Sequence, residues 1–298
     1  MNDLQRYLVE EAIEDYEEGR LTRRDALKMI AGITGAAMAA QMLEARAQAQ
    51  PSPGRAPARS QYSVPATDPS VVAAGVEFLG SDGQLRGYLA RPAKAGRNPI
   101  VLVCHENRGL TAHIEDVTRR VAKAGYVGLA VDLLSREGGT AHHEFDAIPG
   151  ILSKAPPERH VQDFASGLAY AKSLPFAQPE RAGMTGFCFG GGVTWRVIAG
   201  VPEIRAAVPF YGLPVAAAEV PKINAAVLAI YAGRDSRMNA NIPAIEAAMQ
   251  QNHKTFRKIV YADVDHAFHN DTGDRYAAVA AKAAWDEALD WFDKYLKA

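Results

Sequence analysis

The chain has 298 residues, 48% of them hydrophobic and 22% charged, which is enough for one large globular domain with a sizeable core. Its formal net charge of -1 argues against nucleic acid or a strongly anionic molecule as a partner. Two cysteines, Cys104 and Cys188, are too few for a disulfide framework, and no apolar run reaches the roughly 18 residues of a stable membrane span.

The first 49 residues are predicted to be a separate N-terminal segment. Apolar residues at helical spacing within 1–18 indicate a short amphipathic helix. The pair Arg23-Arg24 then precedes a weakly apolar stretch, 29–40, and the sequence Ala47-Gln48-Ala49. This order is typical of a twin-arginine signal, which predicts recognition by the twin-arginine export machinery, cleavage near residue 50 and a periplasmic enzyme. The alternative is a cytoplasmic protein that keeps these helices.

The rest of the chain alternates between strand-like and helical patterns. Five prolines make 50–69 a predicted linker, so the hydrolase-like domain is expected over 70–298. Strands are predicted at 71–78, 84–90, 100–104, 126–131, 181–187, 206–211, 226–231 and 257–261, and helices at 114–123, 158–173, 193–199, 243–250 and 276–296. The alternation predicts an α/β fold with a doubly wound, mostly parallel sheet flanked by helices and an antiparallel pair at its start.

Gly186-Phe187-Cys188-Phe189-Gly190-Gly191 has the nucleophile-elbow pattern, with Cys in place of the usual Ser. A strand is expected to end before Cys188 and a helix to begin after it, with glycines where the two backbones come close. A helix start beneath the sulfur is expected to favour the thiolate. A buried Cys in an ordinary glycine-rich turn is the alternative, so the assignment depends on finding an acid and a His downstream.

Both groups follow in the chain order that an α/β-hydrolase triad requires. Asp235 comes just after the predicted strand 226–231, and His266 comes after the strand 257–261. Either residue alone is more simply explained as a turn cap or a loop histidine. Three matches in order at strand ends favour a catalytic triad of Cys188, Asp235 and His266.

With these motifs in place, residues 70–298 resemble the dienelactone hydrolase, or carboxymethylenebutenolidase, family of the α/β-hydrolase superfamily. The resemblance is carried by the elbow, by Gly233-Arg234-Asp235, and by three further runs: 105–109 (HENRG), 132–136 (DLLSR) and 266–270 (HAFHN). It implies the same triad, with no cofactor, and an acidic Glu106 that helps form the thiolate when substrate arrives. It also implies an oxyanion hole from the N–H groups of Phe189 and Asn107, and an Arg136 that binds the substrate carboxylate.

Two positions depart from the family pattern. Ala267 stands where a hydroxyl residue is expected after the catalytic His, and Asn270 stands where a second carboxylate-binding Arg is expected. A charge-assisted hydrogen bond contributes roughly 1.5–3 kcal/mol, against about 1 kcal/mol for a neutral one. The sequence therefore predicts a hydrolase of small lactones or esters that selects weakly for anionic substrates.

The expected chemistry follows from the residue types. A Cys188 thiolate attacks an ester or lactone carbonyl and forms a thioester acyl-enzyme, and His266, oriented by Asp235, moves the protons. Sulfur is a good leaving group, which favours reactive esters, enol-lactones or thioesters over peptides. A broader carboxylesterase or thioesterase of the same fold, and a catalytically inert binding protein, remain alternatives.

Several other residues have simpler explanations. His142-His143-Glu144 and the pair His266 and His269 do not have the spacing of a convergent metal site, so no metal is predicted. Cys104 is expected in the core, on a strand beside the elbow strand, where a bond to Cys188 is conceivable. Segment 137–157 is either a cap over the site or a surface loop.

Overall fold

The computed structural model describes residues 1–44, 46 and 59–298. Its helices are α1 Asp3–Glu17, α2 Arg23–Thr34, α3 Ala36–Glu44, α4 Ala112–Lys123, α5 Ile148–Leu152, α6 Pro157–Ser173, α7 Phe189–Gly200, α8 Ser236–Asn239, α9 Ile242–Gln251 and α10 Ala278–Phe292. Its strands are β1 Val71–Gly80, β2 Gly83–Pro92, β3 Asn98–Cys104, β4 Val127–Asp132, β5 Ala177–Phe187, β6 Ile204–Phe210, β7 Ala226–Ala232 and β8 Phe256–Tyr261. Short helical turns lie at Ser135–Glu137, Thr140–His142, Ala217–Lys222 and Asp293–Lys297.

The eight strands form one sheet in the order β1-β2-β4-β3-β5-β6-β7-β8. The pairs β1–β2 and β2–β4 are antiparallel, and all other neighbours are parallel. Every residue of β4 and β7 is buried, as expected for central strands covered by helices on both faces. The predicted doubly wound, mostly parallel fold is therefore confirmed.

The topology brings the predicted site residues to one edge of the sheet. Parallel strands end side by side, and the ligand sites of such sheets lie outside their carboxyl ends. Glu106, Cys188, Asp235 and His266 follow β3, β5, β7 and β8 in turn. Four segments that are distant in the sequence thus meet above the same edge.

The N-terminal helices pack on this domain and on each other. Helix α1 begins with a capping box at Asn2 and uses two apolar faces. Leu4, Tyr7 and Leu8 join the core of the sheet domain, whereas other α1 residues form a second core with α2 and α3, made of Val9, Ala12, Tyr16, Ala26, Met29, Ile30, Ala39 and Leu43. Among the described residues, none of the helices combines the length and apolarity needed to cross a bilayer.

The predicted linker is partly a packed segment. The Ser60 N–H donates to Asp271 at 2.8 Å, and the Val64 N–H donates to Asp116 at 2.6 Å. Ser60 and Val64, which belong to the predicted linker, thus contact the domain, and the boundary at residue 70 stays a prediction. Local composition could not reveal these partners, since both lie far away in the sequence. The predicted cleavage site and residues 50–58 of the linker lie outside the described residues.

Segment 137–157 supports the N-terminal helices. Its helix α5 packs on α2, where a side chain at Gly150 would lie 3.3 Å from the Gly32 backbone. The Arg108 guanidinium stacks over Phe145 at 4.4 Å and contacts the Met29 sulfur at 3.5 Å. The sequence left open whether this segment is a cap over the site or a surface loop. Its contact with α2 fits neither description.

Candidate active site

The nucleophile elbow has the predicted form. Strand β5 ends at Phe187, Cys188 has φ 58° and ψ -121°, and α7 begins at Phe189. A side chain at Gly186 would place its Cβ 2.2 Å from the Gly190 carbonyl oxygen, so only glycine fits there. The Cys188 N–H donates to the Phe210 carbonyl at 3.1 Å, which ties the strained residue to the neighbouring strand.

The predicted acid and histidine are paired. The His266 Nδ1 lies 2.5 Å from Asp235 Oδ2, and both side chains are buried. The other Asp235 oxygen accepts from the Met238 N–H at 3.0 Å, which fixes the carboxylate at the start of α8. Burial alone would raise the pKa of Asp235, but the hydrogen bond and charge of His266 outweigh it and lower the pKa. The pair therefore favours an imidazole whose second nitrogen is free to act on a neighbour.

The loop that carries His266 is anchored by a buried ionic network. Asp271 lies 2.9 Å from His113 Nδ1 and 2.8 Å from Arg120, and it also accepts from the Ser60 N–H. These partners come from α4 and from the predicted linker. The network holds the loop from two sides and so restrains where the imidazole lies.

Glu106 and Asn107 follow β3, as predicted, and both are buried. The Asn270 amide donates to the Glu106 carboxylate at 2.6 Å. Burial raises the pKa of Glu106 above its usual value. Glu106 is close enough to Cys188 to raise the pKa of the thiol. The N–H groups of Phe189 and Asn107 stay the predicted oxyanion donors, and that of Phe189 has no partner within α7 because it begins the helix.

Arg136 is engaged in other contacts. Its Nη1 binds both oxygens of Asp163, at 2.7 and 2.8 Å, and its Nε donates to the Asp82 carbonyl at 2.8 Å. Asp163 therefore occupies Nη1 and the Asp82 carbonyl occupies Nε, whereas Nη2 is buried without a hydrogen-bond partner among the described residues. The geometry gives no support to the predicted binding role, which stays a prediction.

Helix α1 contributes two residues that sequence reasoning missed. The Tyr7 hydroxyl lies 3.2 Å from Cys188 Sγ, and the thiol donates to Glu11 Oε1 at 3.0 Å. Cys188 and His266 are each only 2% exposed beneath this helix. The amphipathic pattern of 1–18 predicted a helix, but nothing in the pattern says which surface its buried face covers.

The helix start predicts a thiolate at Cys188, but this arrangement favours the protonated thiol. Burial raises the pKa of the Cys188 thiol well above its usual value, and the carboxylates of Glu11 and Glu106 raise it further. For Glu11, burial would raise the pKa, but His266 and Arg237 outweigh it and the pKa is lowered. A protonated sulfur therefore donates to an ionised carboxylate.

The same cluster has the composition of a metal site. Ligand atoms of Glu11, Cys188 and His266 lie within 4.8 Å of one another. These three side chains could hold an ion while α1 is in place, although no metal was predicted from the sequence. Cys104 is buried beside the elbow strand, paired with Gly186 across the sheet, and both cysteines are free thiols.

Comparisons with known proteins agree with the geometry. The profile of the dienelactone hydrolase family matches residues 85–296. A Methylorubrum extorquens protein with the provisional name carboxymethylenebutenolidase is 34% identical over 252 residues, covering 80% of this chain and 87% of that protein. A Bradyrhizobium sp. protein, provisionally named a 2-oxo-3-(5-oxofuran-2-ylidene)propanoate lactonase, is 31% identical over 225 residues, covering 71% of this chain and 90% of that protein.

Among solved structures, one from Klebsiella pneumoniae subsp. pneumoniae, provisionally described as a dienelactone hydrolase, is similar to this chain. The TM-score is 0.71 at 30% identity, and the match covers 76% of this chain and 99% of that chain. Helix α1 lies outside the residues matched by the family profile. The helix over Cys188 is therefore an addition to the matched part of the fold.

The Asp271 network generates a stability prediction. Asp271→Asn takes the carboxylate from the buried His113 and removes one of the two carboxylates that pair with Arg120, which keeps Asp116. Leaving a buried hydrogen-bonding group without its partner costs about 1–3 kcal/mol, and we expect the free energy of unfolding at pH 7, measured in urea, to fall by about that amount. The exposed Asp263→Asn, near the same loop, is the matched control and should change little.

The sign of the pH dependence follows from the pKa of Asp271. Its partners hold the pKa below the usual value even though burial opposes them. The carboxylate therefore adds stability above its unfolded pKa of about 3.9 and loses it as pH falls toward the folded pKa. The difference between wild type and Asp271→Asn should be complete at pH 7 and shrink below about pH 4. A difference that stays constant with pH would contradict this account.

Proposed function

The chain belongs to the dienelactone hydrolase family and is a hydrolase of lactone or ester bonds, and from this premise we propose that it works through a thioester on Cys188. One observation carries the proposal. A cysteine at a strained elbow lies within 4.8 Å of the imidazole that Asp235 orients.

The first half of the reaction forms the acyl-enzyme. The Cys188 thiol loses its proton to His266, and the sulfur adds to the substrate carbonyl. The N–H groups of Phe189 and Asn107 hold the oxyanion, and each such donor typically contributes about 2.7–4 kcal/mol. The tetrahedral intermediate collapses as His266 returns the proton to the leaving oxygen, which leaves a thioester on Cys188.

Water completes the second half. His266 takes a proton from the water, which adds to the thioester, and the carboxylic acid leaves as the thiol is re-formed. Asp235 keeps the imidazole oriented and stabilises its positive charge in both halves. Thiolate is readily expelled from an intermediate, so substrates with a good leaving group, such as enol-lactones and aryl esters, are favoured over amides.

Trapping of the intermediate tests this proposal. During turnover of 4-nitrophenyl acetate, rapid acid quench and mass spectrometry should find one acetyl group on the peptide that contains Cys188. Cys188→Ala should show no label and lose the nitrophenol burst, and Cys104→Ala is the matched control because that thiol is buried in the core. Full turnover by Cys188→Ala would contradict the assignment.

His266→Ala addresses the proton-transfer role. General acid–base catalysis typically contributes about 10²–10⁴-fold, so kcat should fall by that range while the fold is kept. His253, which is on a surface turn, provides the control substitution His253→Ala. An unchanged kcat for His266→Ala would show that another residue is the general base.

Export is a separate proposal that rests on Arg23-Arg24 and the residues that follow. Replacing both arginines by lysine keeps the charge but removes the paired guanidinium groups that a twin-arginine receptor recognises. The doubly substituted protein should stay in the cytoplasm uncut, whereas Lys28→Arg should be exported like wild type. Mass spectrometry that finds only intact residues 1–298 of the wild-type protein in the native host would contradict export.

A further inference from the structure

Helix α1 lies where an ester would have to approach the sulfur. Tyr7 and Glu11 touch Cys188 Sγ directly, and Leu4 and Leu8 fix the helix by packing into the core of the sheet domain. With Cys188 2% exposed, a substrate carbonyl cannot come within bonding distance of the sulfur. Turnover by this site therefore requires that α1 moves away.

Two arginines hold the acidic side of α1 beside the site. Arg237 donates to Glu14 at 3.2 Å and stacks over the Tyr7 ring at 4.8 Å. Arg275 pairs with Asp15 and lies 3.5 Å from the His266 carbonyl oxygen. These contacts place two cations next to the triad residues Asp235 and His266.

Both guanidinium groups have unused donors. Within the described part of the chain, Arg237 Nε and Nη1 are buried without a hydrogen-bond partner, and so is Arg275 Nε. The Arg275 side chain is only 9% exposed. Burial lowers the pKa of both arginines, but groups on α1 outweigh it and raise the pKa, chiefly Tyr7 and Glu11 for Arg237 and Asp15 and Glu11 for Arg275. If α1 leaves, both cations lose their main carboxylate partners on that helix.

We propose, on the basis of the thioester function above, that α1 is an intramolecular inhibitor seated in the substrate cleft. In this proposal Arg237 and Arg275 bind the carboxylate of an anionic ester or lactone once α1 has left. Glu14 and Asp15 take the place of that carboxylate in the closed state. These two arginines supply the positive charge for the substrate carboxylate. Asn270 is neutral, and Arg136 is paired with Asp163.

The closed state is tested first, in the full-length chain. Glu14→Arg with Asp15→Arg replaces two attractions by repulsion from Arg237 and Arg275. A loss of about 1.4 kcal/mol of docking free energy corresponds to a tenfold larger open fraction. We expect at least a roughly tenfold faster alkylation of Cys188 by iodoacetamide, and a similar rise in kcat/KM for 4-nitrophenyl acetate.

The matched control is Glu17→Arg, which makes the same change of charge on α1. Glu17 pairs with Arg46 inside the N-terminal segment and has no described ion pair with the sheet domain. It should leave the alkylation rate unchanged. Leu8→Ala is an independent way to loosen α1 and should also accelerate alkylation. If both loosening variants fold and alkylate at the wild-type rate, α1 does not restrict the site and the proposal is overturned.

The anion site is tested by the ratio of the kcat/KM values for an anionic and a neutral ester. Mono(4-nitrophenyl) succinate and its methyl ester differ in one carboxylate, and release of α1 affects both equally. Arg237→Gln with Arg275→Gln should lower the ratio of kcat/KM for the anionic to the neutral ester by roughly tenfold, the factor that 1.4 kcal/mol represents. Arg257→Gln, an exposed arginine paired with Glu287, should keep the ratio.

The outcomes separate this inference from the proposed function. A ratio that falls in Arg136→Gln but not in the double arginine variant would overturn the assignment of the anion site. A lack of thioester in every variant would overturn the thioester function, whereas alkylation of Cys188 would still report whether α1 covers the sulfur. Circular dichroism of each variant identifies any that fail to fold, and the single variants Glu14→Gln and Arg275→Lys replace them.

Discussion

The close contact between the end of β5 and the start of α7 determines the rest of this site. Gly186 and Gly190 touch backbone to backbone, and Cys188 between them is forced to a positive φ. Backbone strain of this kind costs of order 1–3 kcal/mol and persists only where the surroundings over-determine it. Here β6 holds the residue through the Phe210 carbonyl and β3 lies against Gly190, so the central strands of the sheet fix the position of the sulfur.

The sequence was sufficient for the sheet and for the chain order of the site. Apolar runs such as β4 and β7 are buried on both faces and are easily read as central strands. Because parallel strands end together, Cys188, Asp235 and His266 could be placed at one edge without knowledge of any contact. The pairing of Asp235 with His266 at 2.5 Å is what that reasoning expects.

Contacts between distant parts of the chain could not be predicted in the same way. The motif position of Arg136 predicts contact with substrate, yet the guanidinium pairs with Asp163 on α6. Ser60 lies in the segment that composition predicts to be a linker, but its N–H donates to Asp271. Helix α1 was recognisable from its apolar spacing, but its target depends on a match of shape and charge with Arg237 and Arg275, and periodicity carries no information about either.

The position of α1 also determines which of two opposing effects, the helix start or burial, sets the pKa of the Cys188 thiol. The start of a helix stabilises a nearby negative charge by typically 0.3–1 kcal/mol, whereas complete burial can shift a pKa by up to 3–5 units, at 1.36 kcal/mol each. Burial is therefore the larger effect while α1 is docked, and it raises the pKa of the thiol. The adjacent carboxylate of Glu11 also raises it. Departure of α1 removes the cover and that carboxylate in one step and leaves the helix start and the cation of Arg275 to favour the thiolate. If the N-terminal segment is an export signal that is cleaved, the inhibitory carboxylates leave with it, and the thiol becomes reactive only after the enzyme has left the cytoplasm.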